Sequence, residues 1–570
     1  MSDLSALSSI SGLSGLSERD SYYQYLINNN STSTMLNALS GDSSDSDSSG
    51  LSGISNLLSQ ASGLTGTSSL TGLSSLVGNS STDSDGSSLS ALTSFSQILK
   101  TYLSSEQTEA ANMAENMSNA LEEADTNGED KASVTYKTVQ ELYNYFTEKA
   151  KAEGYKDIRD IIKNGEKVKA GDKLYAVCMN KTIALFHMGT KPLTEGMNIL
   201  GAHIDSPRID VKQNPLYENE EFAYLDTHYY GGIKKYQWVT LPLALHGVIA
   251  KKDGTTVQVS IGEKEDDPVF VITDLLIHLA SKQMEKKAAT VVEGEKLDLL
   301  IGSRPIEQDE TLEEKEKEAV KANVINLLKQ YYDMEEEDFL SAELEIVPAG
   351  KARDCGLDRS MVLAYGQDDR VCAFTSLFAM LDVEEVEHTA CCILVDKEEI
   401  GSVGATGMHS RFFENTVAEL VALTEGESDL KVRRALMNSR MLSSDVSAAY
   451  DPMYAEVFEK RSSAFFGKGL VFNKFTGARG KSGSNDANAE YLAKIRNAMD
   501  AQSVAYQFAE LGKVDAGGGG TIAYIMANYG MEVIDSGVAV LSMHAPWEVT
   551  SKADVYEAYK GYKAFIEEMR

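Results

Sequence analysis

Basic side chains are scarce in this 570-residue chain: 53 Lys and Arg stand against 86 Asp and Glu, a formal net charge of −33. A surface of that sign repels phosphates, so nucleic acid is excluded as an expected partner and an anionic membrane is disfavoured. Runs of 18 or more apolar residues are missing, so no segment is expected to span a bilayer. The N-terminus carries Asp3 and no basic cluster ahead of an apolar run, which argues against a secretory signal. Cysteine is rare. The five (Cys178, Cys355, Cys372, Cys391, Cys392) are odd in number, two are adjacent, and no CxxC spacing occurs. That excludes a disulfide framework, a zinc ribbon and a redox pair, and predicts reduced, buried thiols in a cytoplasmic protein.

The first 130 residues lack Cys, His, Trp and Pro altogether, and Arg19 and Lys100 are their only cations. Ser, Gly, Leu, Asn and Asp dominate, and pieces such as Ser11-Gly12-Leu13-Ser14 and Thr71-Gly72-Leu73-Ser74 recur without a fixed period. So few large side chains cannot offset the entropy of ordering the backbone, and 1–130 is expected to be a disordered, passive extension. Two stretches, Tyr22 to Leu39 and Phe95 to Leu121, carry enough apolar residues for short helices.

From Thr135 onward the pattern becomes globular. Leu142, Tyr145 and Phe146 give Val139 to Lys151 helical spacing, and strand-like runs follow at Lys173 to Met179, Thr182 to His187 and Met197 to His203. Alternating strand and helix signals continue to the C-terminus and predict an α/β fold. The stretch Phe222 to Gly262 reads as successive strands, Val269 to Met284 as a helix, and Glu285 to Glu337 as a charged region with apolar spacing at Val320, Val324, Leu327 and Leu328. This middle part is expected to interrupt the core. The organisation is then 1–130 extension, 131–212 first core segment, 213–348 insertion, and 349–570 second core segment.

Chemistry-bearing residues recur at the downstream ends of the β-type runs. His203 and Asp205 follow Asn198 to Ala202, Glu398-Glu399 follow Thr389 to Val395, Asp445 follows Met441 to Ser444, and His544 follows Val538 to Met543. Asp368-Asp369 precede a helical run from Val371 to Leu381. In open α/β sheets sites form beyond the carboxyl ends of the strands. Two histidines with several carboxylates are the donor set a pair of divalent cations requires, one carboxylate bridging them. Taken singly, each has a plain structural reading: a hydrogen-bonded histidine, an acidic first helical turn, a cap or a turn residue. Their recurrence carries the case.

The segments His203-Ile204-Asp205-Ser206-Pro207, Gly366-Gln367-Asp368-Asp369-Arg370, Asp396-Lys397-Glu398-Glu399-Ile400-Gly401-Ser402, Ser444-Asp445 and Ser542-Met543-His544 closely resemble the aspartyl aminopeptidase family of dinuclear metallopeptidases, bacterial members above all. The resemblance spans about 135–570 and leaves the extension outside. It implies a phosphorylase/hydrolase-like α/β core with a mixed central sheet, interrupted by a β-rich dimerisation domain. It further implies two divalent ions per subunit, zinc or else Co2+ or Mn2+, held by His203, Asp368, Glu399, Asp445 and His544, with Asp368 bridging. Asp369 stands where many relatives have Asn.

By the same resemblance Glu398 is the catalytic carboxylate and Asp205 accepts the second N–H of His203. His278, in Leu275-Leu276-Ile277-His278-Leu279, reaches into a partner subunit's site. Lys474 meets an acidic substrate side chain, and Gly519, within Gly517-Gly518-Gly519-Gly520, lines the substrate pocket. The expected activity is removal of an N-terminal Asp or Glu from peptides by a homo-oligomer, a dodecamer built from dimers. A glutamyl aminopeptidase, a deacylase and a non-catalytic scaffold are the rival readings.

Overall fold

A computed structural model describes residues 136–307, 317–477 and 483–569. The expected helices at Tyr22 to Leu39 and Phe95 to Leu121 lie outside the described residues.

The globular part opens on the helix Val139–Ala152, where the sequence places it. Thr138 accepts from the N–H of Glu141 and the Glu141 side chain reaches back, a reciprocal cap that satisfies otherwise free donors. Leu142, Tyr145 and Phe146 are buried on one face, each contributing about 1.5–3 kcal/mol by leaving water.

Nine strands form the central sheet, in the order Lys156–Asp157, Lys173–Cys178, Thr182–His187, Ala390–Val395, Asn198–His203, Arg440–Ser444, Glu532–Gly537, Leu470–Asn473 and Tyr506–Phe508. The middle four, Ala390–Val395 through Glu532–Gly537, are mutually parallel. Thr182–His187 and Leu470–Asn473 join them antiparallel, so the sheet is mixed. The parallel strands are buried at almost every position, as strands of a sheet covered on both faces are. Their register sets Val395 beside His203 and Ser444 beside Ser536. The chain segments that leave these strands therefore emerge at one edge.

A second sheet, antiparallel throughout, runs Thr256–Ile261, Leu243–Ala250, Ala342–Pro348, Arg208–Asn219, Phe222–Tyr230 and Leu299–Gly302. It encloses its own apolar cluster around Trp238, Leu243 and Ile346. The helix Ala319–Tyr332 covers part of it through Val320 and Val324, whereas Leu327 faces solvent. The helix expected over Val269 to Met284 is not formed. Only a 3-10 turn, Ile277–Leu279, and one short helical turn, Ser281–Met284, appear there. Leu275, Leu276, Ile277 and Leu279 are all exposed, so no apolar stripe of this segment meets the chain's own core to stabilise a helix.

The third sheet is small: Arg353–Cys355, Met361–Ala364, Glu548–Ser551, Ala539–Leu541 and Ser447–Ala448. It delivers two chain segments to the edge of the central sheet, one toward Asp368 and one toward His544.

A buried polar network joins the first helix to the second sheet. His246 has no exposed surface; its Nδ1 lies 3.0 Å from Glu141 Oε1 and its Nε2 3.0 Å from Glu263 Oε1. Lys137 Nζ sits 2.5 Å from the same Glu263 oxygen. Burial alone would lower the His246 pKa, but the two carboxylates outweigh it and raise it to about 9. A folded-state pKa above the unfolded value of 6.5 stabilises the fold fully below pH 6.5, and that stabilisation is lost as pH rises through 9. Urea unfolding of the wild type is expected to show falling stability between those limits. The same measurement on His246→Gln should lose that slope; an unchanged slope would remove His246 as its source.

Candidate metal centre

Five chain segments converge at the carboxyl edge of the central sheet, one of them bringing His544 from the end of Ala539–Leu541. His203 ends its strand and Asp445 follows the end of Arg440–Ser444. Glu398 and Glu399 lie in a 3-10 turn entered through Lys397, whose φ of 68° bends the chain sharply after Ala390–Val395. Asp368 and Asp369 stand at the start of the buried helix Gln367–Leu381 with non-helical torsions, joined by a cis peptide. Gly366 precedes them at φ +67°. A Cβ there would come within 2.7 Å of Arg370 Nη1 and 2.8 Å of Ser206 Oγ, so the turn requires glycine.

The Asp368 carboxylate lies between the two histidines. Its Oδ1 is 3.2 Å from His203 Nε2, and its Oδ2 is 3.3 Å from His544 Nε2. Asp445 Oδ1 approaches His203 Nε2 at 3.9 Å, and Glu399 Oε2 approaches His544 Nε2 at 3.7 Å. Two triads thus share one carboxylate. The opposite ring nitrogens are already engaged: His203 Nδ1 lies 3.0 Å from the Asp205 carbonyl and His544 Nδ1 2.9 Å from the Gly232 carbonyl. Both Nε2 atoms are thereby directed into the cluster.

The donor set fits divalent cations. Buried oxygens without a hydrogen-bond partner include Glu399 Oε1 and Asp369 Oδ1, a costly state for a carboxylate unless a cation meets it. Burial, reinforced by Asp368, pushes the Glu399 carboxyl well up; burial with Asp369 does the same to Asp445. Asp368 moves the other way: burial opposes it, but His203 and His544 hold it well below the carboxylate range. Among the described residues the groupings whose donor atoms all lie within 4.8 Å of one another are His203 with Asp368 and Glu399, and His203 with Asp369 and Asp445. One Asp369 oxygen, Oδ2, is already occupied by the His203 N–H at 3.3 Å.

Residues 131–566 match the family model described as aminopeptidase I zinc metalloprotease, M18. The curated relative named "Probable M18 family aminopeptidase 1" from Clostridium acetobutylicum is 61% identical over 430 residues, covering 75% of this chain and 91% of its own length.

This chain belongs to the M18 aminopeptidase family of zinc metalloproteases.

It is accordingly a metal-dependent aminopeptidase. The crystal structure of aminopeptidase I from C. acetobutylicum superposes with a TM-score of 0.71 at 60% identity, covering 75% of this chain and 91% of that one. The Thermotoga maritima M18 structure gives 0.72 at 43%, covering 76% and 93%. A dodecamer of mApe1 from S. cerevisiae shares the fold, with a TM-score of 0.60 at 20% identity over 75% of this chain and 94% of that one.

Around the M18 cluster lies a cavity of about 470 Å³. His203, Asp368, Glu398, Glu399, Asp445 and His544 line it, and Gly517 to Gly520, Gly519 among them, form a further part of its wall. Lys474 does not line it. Its neighbours Asn473 and Phe475 do, and extended backbone points successive side chains to opposite faces. The Lys474 ammonium pairs instead with Asp486 and lies over the Phe475 ring. The lysine among the described lining residues is Lys513, whose Nζ donates to the Glu456 carbonyl at 2.5 Å. His278 lies exposed on the Ile277–Leu279 turn, outside this cavity.

Asp205 serves the site differently from the expectation. Its carbonyl, rather than its carboxylate, is the nearer acceptor for His203 Nδ1, the carboxylate oxygen standing 3.4 Å away. The carboxylate takes the N–H groups of Glu398 and Glu399, each at 3.1 Å, and the Tyr230 hydroxyl at 2.8 Å. It therefore fixes the turn that carries both glutamates.

Three contributors escaped the sequence reading. Tyr230 braces Asp205. Gly231 and Gly232 pass so close that a Cβ would meet Glu399 at 3.3 Å and His544 Nδ1 at 3.2 Å. Glu548 bonds to the backbone of two candidate ligands. The adjacent glycines were the one local signal available, since paired glycines mark close backbone approach as often as a turn.

Proposed function

We propose that the chain removes single N-terminal residues from peptides with two divalent ions per subunit, one held by His203, Asp445 and Asp368, the other by His544, Glu399 and Asp368. The observation that carries this reading is the Asp368 carboxylate, with one oxygen facing each histidine. Zinc suits mixed imidazole and carboxylate donors, and Co2+ or Mn2+ fit the same set. When bound, such ions polarise the scissile carbonyl and bring the pKa of a shared water toward ~7.

Glu398 is the residue that moves protons. It lines the cavity, lies adjacent to Glu399, and its backbone is held by Asp205. Burial, the largest influence, raises its carboxyl to about 7, the range in which a group both accepts and releases a proton at neutral pH. It takes the proton of the attacking water as the C–O bond forms, then delivers it to the leaving amine nitrogen as the C–N bond breaks. The cavity wall of Gly517 to Gly520 lets the substrate backbone approach closely.

An acidic first residue follows from the resemblance, and with Lys474 turned aside Lys513 is the lining cation that would meet it. A chromogenic panel with Asp, Glu, Leu and Lys as first residue tests this. Equal or better cleavage of Leu or Lys substrates discards the acidic preference, while cleavage of N-acylated substrates favours the deacylase. A zinc-replete preparation inactive on the whole panel returns the scaffold reading.

Residues 213–348 are proposed as the dimerisation insertion of a homo-oligomer, a dodecamer like that of the yeast relative. The exposed Leu275, Leu276, Ile277 and Leu279 support a subunit contact there, a patch costly to leave in water. His278 would then complete a partner's cavity as a donor to the substrate oxyanion. His278→Ala is expected to lower kcat about 100-fold with assembly intact by sedimentation. Unchanged kcat removes His278 from the site. A cytoplasmic location is supported by the five free cysteines, three of them buried.

A further inference from the structure

Glu548 opens the strand Glu548–Ser551 and is almost wholly buried, at 1% exposure. That strand pairs with Met361–Ala364 on one side, Ala364 lying opposite Glu548, and with Ala539–Leu541 on the other. It therefore stands where one flanking segment departs for Asp368 and the other for His544. The carboxylate spans the gap: Oε2 accepts the N–H of Asp368 at 3.1 Å, and Oε1 accepts the N–H of His544 at 2.7 Å. Both amides need such a partner. Asp368 has non-helical torsions at the helix start, and His544 sits at φ 65°, a left-handed conformation that a Cβ disfavours. The strand is secured in turn, because Gln367 Nε2 donates to the Glu548 carbonyl at 3.2 Å and Thr550 Oγ1 donates to Gln367 Oε1 at 2.7 Å.

A buried carboxylate next to the Asp368 carboxylate is unfavourable unless its own interactions offset the repulsion. Bonds from two backbone donors counter part of that cost, burial and Asp368 still raising the carboxyl. These bonds turn both oxygens toward backbone N–H groups, and no metal-sized cluster among the described residues includes Glu548. Asp205 makes the same arrangement opposite, taking the N–H groups of Glu398 and Glu399.

We propose that Glu548 is a positioning residue that locks Asp368 and His544 in register before any metal arrives, so that the bridging carboxylate and the second histidine are already aligned. It touches neither substrate nor reacting atoms. The proposal rests on the dinuclear reading above.

Zinc-free enzyme titrated with zinc against a chromophoric chelator tests it. In Glu548→Gln the side chain offers one acceptor and one N–H donor, so one of the two backbone amides faces a donor. The wild type is expected to bind two ions. The variant should weaken the site containing His544, which loses the anchors of both His544 and Asp368, by about 10–100-fold, the usual cost of losing an outer partner of a ligand, and weaken the His203 and Asp445 site, which shares only Asp368, by clearly less. Excess zinc should recover kcat with KM unchanged. An unaltered isotherm, or equal weakening at both sites, overturns the proposal.

A wild type that binds one ion refutes the dinuclear reading instead. Hydrogen exchange of the zinc-free wild type then decides the clamp alone, and it does so equally if the variant fails to fold. The Asp368 and His544 amides are expected to exchange at least about 100-fold slower than free amides, and free exchange at either one ends the proposal.

Discussion

Glu398→Gln is expected to lose about 10⁴-fold in kcat while still binding zinc with wild-type stoichiometry and affinity. On the proposed mechanism one proton passes onto and then off this carboxylate in each turnover, and positioned acid–base groups contribute about 10²–10⁴-fold, with the upper end suiting a residue used twice. Glutamine keeps the shape and the neighbouring contacts. The N–H of residue 398 still donates to Asp205, so the turn that presents Glu399 is unchanged. The discriminating measurement is the pair, steady-state rate and zinc content on the same sample. A variant that has lost zinc as well would place Glu398 among the ligands, and one that retains turnover would take it out of the mechanism.

Asp368→Ala should be as damaging by a different route. Removing the bridge deprives both ions of a ligand and leaves His203 and His544 without the carboxylate between them. Its loss removes charge compensation that two cations at close range need. At about 1.4 kcal/mol per factor of ten, a loss of several kcal/mol of transition-state stabilisation lowers kcat/KM by at least about 10³-fold. Bound zinc should fall from two equivalents toward one or none. Full zinc occupancy in Asp368→Ala would transfer the bridge to Asp369, whose cluster with His203 and Asp445 is the alternative ion site. Asp369→Asn is the companion measurement: loss of its unpartnered oxygen leaves zinc binding intact if Asp368 is the bridge.

The contrast between these two substitutions and Glu548→Gln is informative. On the proposed reading Glu398 is expected to be needed for turnover and not for metal, Asp368 for both, and Glu548 chiefly for metal at one position of the pair. Three carboxylates within one site are thus distinguished by which readout moves.

Legibility differed from element to element. The strand Thr182–His187 follows from local pattern as a short, mostly apolar run buried on both faces, and the helix Val139–Ala152 from a period of 3.6 set by the face that meets the core. The same logic failed at Val269 to Met284, where Leu275, Leu276, Ile277 and Leu279 face outward while Ile272 and Ala280 are buried, so no continuous apolar face rewards helical spacing. Lys474 shows how little error suffices: a shift of one residue in extended chain exchanges the cavity face for the opposite one. Glu548 was invisible because nothing near it in sequence hints at its partner. It bonds to Asp368 across 180 positions, through a third sheet whose strands are two to four residues long.

From its order of residues alone, this chain declares its chemistry. Histidines and carboxylates placed after β-type runs are a metal-binding inventory, and their kind does not depend on how the segments are arranged. Folding decided the pairing: which oxygen of Asp368 meets which imidazole, that Asp205 braces the glutamate turn, and that Glu548 anchors two ligands at once. Those relations depend on the register between distant strands and on backbone hydrogen bonds that close only when the sheets assemble. Local patterns record burial and period, and carry no information about such long-range contacts.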